Sequence, residues 1–202
     1  MNHRARKDRG FTLIELLVVV AIIAILAVVV VLTLNPSELI RQSRDSNRLS
    51  DLATLKSAIS FYLQDNATPN LASSSGGYAS CYLSTTSGNG TTTTKCGVFA
   101  NAGGTNNMST TQTLYRKVDS TGWVPVNLSN ISYGTPLNVL PVDPVNNASY
   151  YYAYAASSTN NVFELDAWLE SSKYNKGGTN DAPSKDGGDN QNVYEIGTNL
   201  SL

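Results

Sequence analysis

The chain has 202 residues, 41% of them hydrophobic and 14% charged, with a formal net charge of −1. That length accommodates one modest globular domain plus an extra segment. A single histidine and two cysteines exclude a zinc set built from Cys and His, and the near-neutral charge gives no support to a nucleic-acid partner.

The first element is a basic run containing Arg4, Arg6, Lys7 and Arg9, followed by Gly10 and Phe11. From Leu16 to Leu32 seventeen residues are apolar without interruption. With Leu13, Ile14 and Leu34 the stretch reaches the roughly 20 residues that a helix needs to cross about 30 Å of hydrocarbon. The basic residues precede it and the neutral Asn35-Pro36-Ser37 follows, so the positive-inside bias keeps the amino end cytoplasmic and exports the rest. A cleaved secretory signal would carry small residues after the apolar run, and "VLTLNPSEL" offers no such site. Here the small residue, Gly10, comes before it.

Glu15 is the one carboxylate in this segment. An acid towards the bilayer centre costs about 2.5–3.5 kcal/mol on insertion scales, and such groups usually have a partner. The plainer alternative is a glutamate at headgroup level, tolerated near a helix start where the dipole favours acids.

The string "RGFTLIELLVVVAIIAILA" resembles the class III leader of the type IV pilin superfamily. The resemblance is specific across Asp8 to Ala27 and weakens beyond. It implies that a prepilin peptidase cuts after Gly10 and methylates the new amino terminus at Phe11, so residues 1–10 are removed. Four Lys/Arg and one Asp leave with them, which moves the formal charge from −1 to −4 and takes away His3, the only histidine. It implies that the apolar helix stays as an assembly tail and that Glu15 pairs with the amine of a neighbouring subunit, fixing axial register. It further implies three kinds of partner: other pilins in a helical filament, membrane lipid around the precursor, and an inner-membrane platform with a cytoplasmic ATPase. The implied location is the cytoplasmic membrane as a single-pass precursor, then a cell-surface or periplasmic filament.

Next in the chain, Asn35 suits an N-cap, Pro36 a first helical position and Glu38 a capping-box acid, which predicts a fresh helix start and a kink or break there. The family's common proline falls about one turn earlier, near Leu32. Leu52, Leu55, Ile59, Tyr62 and Leu63 recur at spacings of three and four, marking one apolar helical face down to about Gln64.

Residues 66–122 are dense in Ser, Thr, Gly and Asn and read as loops. They hold Cys81 and Cys96, which an oxidising compartment would join in a disulfide, two free thiols being the alternative.

The last third, 123–202, carries the sheet. "SYYYAYAAS" and "VFELDAWLES" flank Ser158-Thr159-Asn160-Asn161 as a predicted hairpin, and "NVYEIG" is a third strand. Phe163, Leu165, Ala167 and Leu169 predict a core face, with Glu164, Asp166, Trp168 and Glu170 on a mostly wet one. Tyr150, Tyr152 and Tyr154 share a face whose aromatic row reads as packing rather than a binding platform.

The "SKDGGDNQN" loop admits two readings, a calcium site using Asp186 and Asp189 or a solvated turn. The layout of the head is similar to that of major pseudopilins of type II secretion, a family with a calcium site in its C-terminal loop. No GxSxG, phosphate-cradling or Cys/His metal motif is present, so no enzyme is expected. The expectation is an α+β chain in five parts: a leader at 1–10, a membrane and assembly helix at 11–34, an amphipathic helix at 35–65, a loop region at 66–122 and a sheet head at 123–202. Its expected role is a filament subunit of a type IV pilus or pseudopilus, the alternative being a monomeric membrane-anchored surface binding protein.

Overall fold

A computed structural model describes residues 10–71, 80–85, 96, 99 and 115–202, although the side chains of Leu32 and Ser80 fall outside that description. The chain falls into two compact units, the first ending at Ile40 and the second running from Arg41 to Leu202.

In the first unit, helix α1 spans Leu13–Leu34. It ends because Asn35 adopts a left-handed conformation, φ 41° and ψ 73°, which a short polar side chain tolerates. Helix α2, Pro36–Asp65, then starts with proline at its first position, where a missing N–H costs nothing. The Asn35 carbonyl accepts from the N–H groups of Glu38 and Leu39, so the fresh start expected at Asn35-Pro36 is present.

In the second unit α2 continues to Asp65, with Asn66 donating through both backbone and side chain to the Tyr62 carbonyl. Four strands form one antiparallel sheet in the order β1-β2-β3-β4: β1 Ser80–Leu83, β2 Tyr152–Ser157, β3 Val162–Ala167 and β4 Tyr194–Gly197. The β2–β3 turn is the expected 158–161 segment, closed by Asn161 at φ 53°. Strand β1 lies inside the stretch that reads as loop. Its four residues are too few for a period to emerge, and its place is set by pairing Tyr82 with Tyr154.

One face of the sheet shares a core with α2. Leu52, Leu55, Ala58, Ile59 and Tyr62 meet Tyr152, Tyr154, Phe163, Leu165 and Ala167, closed at the side by Trp123, Val124 and Leu128. Each fully buried Leu or Ile contributes roughly 1.5–3 kcal/mol by leaving water. The tyrosine row is packing, as expected, and its hydroxyls are satisfied: Tyr152 donates to Asp51 at 2.7 Å and Tyr154 to the Leu71 carbonyl at 2.8 Å. Tyr150 instead lies under the Arg48 guanidinium, 5.1 Å from the ring centre.

The other face departs from the reading of a wet surface. Glu164 and Asp166 are buried, 1% and 0% exposed, in company with Cys81, Leu83, Ala153 and Ala155. Alternation assigns them correctly to the face opposite Phe163 and Leu165. That face is itself covered, because Cys96, Phe99, Tyr151 and Leu202 pack onto it.

Candidate processing and assembly site

Gly10 and Phe11 precede the helix. No heavy atom comes within 4 Å of where a Gly10 Cβ would be, and Phe11 is 88% exposed. Thr12 is extended, with φ −79° and ψ 151°, so the Gly10–Phe11 bond sits in non-helical, accessible backbone of the kind that a peptidase can bind.

Thr12 and Glu15 form a reciprocal capping box. Glu15 Oε2 accepts from the Thr12 backbone N–H at 2.8 Å and from its hydroxyl at 2.8 Å, while the Glu15 N–H donates to Thr12 Oγ1 at 3.3 Å. The carboxylate is thereby turned back towards the amino end of α1. A chain beginning at Phe11 would place its ammonium one residue before the N–H that Glu15 already holds.

Beyond the cap, the described side chains of α1 are exposed. Leu13–Val31 has a mean hydropathy of 3.4, none of it is buried, and its length and composition suffice to cross a membrane. At 1.5 Å per residue, 22 residues extend about 33 Å. An apolar surface all the way round has two stable environments, lipid or other apolar helices.

In the head, Cys81 and Cys96 are joined in a disulfide. Asp186 and Asp189 flank a tight bend, with Gly187 at φ 89°. Both Asp186 oxygens accept backbone N–H groups, from Gly188 at 3.0 Å and Glu195 at 2.8 Å, while Asp189 is exposed.

The carboxylates that converge are different ones. Glu164, Asp166 and Glu195 each bring an oxygen within 4.8 Å of the others, and all three are buried. Asp166 and Glu195 are direct partners across the β3–β4 ladder, and Glu164 stands two residues from Asp166 on the same face. Burial, with the other carboxylates adding to it, pushes Glu164 up to about 8, Glu195 up to about 7 and Asp166 well above its ordinary range. The sequence carries a signal for this group, two acids at i and i+2 in one strand and a third in the next. Nothing local distinguishes that pattern from a solvated face.

The N-terminal segment matches the family model described as the prokaryotic N-terminal methylation motif, over residues 5–31. This is a class III prepilin leader, consistent with type IV pilin-like proteins; the match covers most of α1 and none of the head. No curated protein and no solved structure matches the chain.

Proposed function

We propose that this chain, a carrier of the prepilin methylation motif, is a structural subunit of a type IV pilus or a secretion pseudopilus. Prepilin peptidase processes it between Gly10 and Phe11, and it polymerises through α1. The observation that carries this reading is the junction of the matched motif with a membrane-length helix whose apolar side chains from Leu13 to Val31 are exposed. A motif of this type points to a structural protein and to a membrane-anchored precursor.

The chemistry of assembly follows from Glu15. In lipid the Thr12 box lowers the cost of the carboxylate by giving it two donors. In a bundle of helices a neighbouring subunit's Phe11 ammonium offers a full positive charge at low dielectric, a stronger partner than a hydroxyl and an amide. Exchanging the internal cap for that ammonium fixes one axial register for each added subunit, and the apolar flanks of α1 exchange lipid for packed helices.

The test is intact-mass analysis of the chain recovered from membranes and from sheared filaments. The expected species begins at a methylated Phe11. A filament fraction lacking the chain, or a mature chain retaining residues 1–10, would remove the reading.

A further inference from the structure

We propose that Glu164, Asp166 and Glu195 bind one calcium-sized divalent cation on the covered face of the sheet. The site involves no part of α1, so it stands independently of filament assembly.

Geometry supplies the first argument. Two oxygens on one calcium ion can be no farther apart than about twice the 2.3–2.6 Å bond length, and the three carboxylate atoms, within 4.8 Å of one another, meet that limit. The donor set is all oxygen, the choice of a hard cation. Magnesium bonds at about 2.0–2.1 Å and keeps several waters, a poor match to three acids that are all buried.

The second argument comes from atoms without partners. Asp166 is fully buried, and neither of its oxygens has a hydrogen-bond partner. Glu195 Oε1 is likewise buried and unpartnered. A buried carboxylate left unpaired is among the costliest arrangements in a fold, and here three lie together with no Lys or Arg salt bridge to any of them among the described residues.

Two further oxygens accept backbone N–H groups, and the Glu164 and Glu195 side chains are hydrogen-bonded to each other. Glu164 Oε2 accepts from the Leu202 N–H at 2.9 Å, and Glu195 Oε2 from the Asn190 N–H at 3.0 Å. These bonds orient both side chains around Asp166. Asp186 acts one step further out, holding the Glu195 backbone N–H and so the position of β4. Gly188 passes so close that a Cβ there would lie 1.8 Å from Glu195 Oε2, which explains why the turn has no side chain at that point.

The experiment uses the full-length chain, stripped with EDTA in detergent and titrated with calcium chloride. Calorimetry counts the ions and circular dichroism reads the thermal midpoint. One ion should bind per chain. At a free concentration a hundredfold above Kd the midpoint should rise by about 5–10 °C. Asp166→Asn should abolish both the binding heat and the calcium-dependent rise. Glu195→Gln gives the same reading should Asp166→Asn fail to fold. Asp189→Asn, at the exposed loop position, should keep the full response. The proposal is overturned by a parent chain that binds no calcium, by an Asp166→Asn chain that still binds it, or by loss of binding in Asp189→Asn alone. An equal response to magnesium overturns the assignment of ion size.

Discussion

The Arg48 guanidinium holds Asp143 through two nitrogens, Nε to Oδ2 at 2.5 Å and Nη2 to Oδ1 at 3.0 Å, with neither side chain exposed to solvent. The same guanidinium reaches Asp45 at 2.7 Å and Glu170 at 2.5 Å. Asp45 in turn accepts the backbone N–H groups of Glu170 and Ser171. One residue on α2 thus ties the helix to the proline-rich segment before β2 and to the chain leaving β3.

Removing that centre leaves buried acids without a counter-charge. Arg48→Met is expected to destabilise the head by about 3–5 kcal/mol, the usual cost of breaking one side of a buried ion pair. Urea unfolding should show a lower midpoint at unchanged slope. An unaltered midpoint would take the cluster out of the head's stability.

Acid should weaken the same cluster. Burial alone would raise the Glu170 pKa, but the guanidiniums of Arg44 and Arg48 outweigh it and hold the group below its ordinary 4.5. A depressed folded pKa gives stability that is complete above the unfolded value and is lost as pH falls through the folded one. Glu170→Gln should therefore be less stable than the parent at pH 7, and the difference should shrink below about pH 4. A constant difference between pH 7 and pH 3 would contradict this linkage.

The Cys81–Cys96 bridge closes a separation of 15 residues and anchors edge strand β1 to the cover of the acidic face. Cys81→Ser with Cys96→Ser is expected to cost about 3 kcal/mol, or about 6–12 °C in the thermal midpoint, while leaving membrane insertion intact. Melting with and without reductant on the parent chain checks the same quantity.

One pair of variants tests whether Glu15 acts beyond its capping of α1. Glu15→Ala should insert normally and fail to enter filaments. Glu15→Gln keeps an oxygen for the Thr12 donors but has no charge for a neighbouring ammonium, so it should fail as well. Normal incorporation of Glu15→Gln would reduce the glutamate to a helix cap.

Much of this protein is legible in its sequence wherever one residue or one period decides the outcome locally. The apolar run from Leu16 needs no tertiary information to become a membrane-length helix, and Asn35-Pro36 ends one helix and starts another through backbone chemistry alone. Spacings of three and four from Leu52 to Tyr62 mark the buried face of α2, and Asn161 tolerates the positive φ that turns β2 into β3. The N-terminal methylation motif is local too, since it is one short consecutive string. Tertiary structure decided what those elements meet. Strand β1 is too short to show a period and exists through its pairing with β2. Arg48 and Asp143 lie 95 positions apart, and on an amphipathic helix an arginine reads as solvated until the fold encloses it. Alternation separates Glu164 and Asp166 from Phe163 and Leu165 but carries no information about whether the second face is covered. Cys96, Phe99 and Leu202 cover it, and three acids that read as solvated lie buried together.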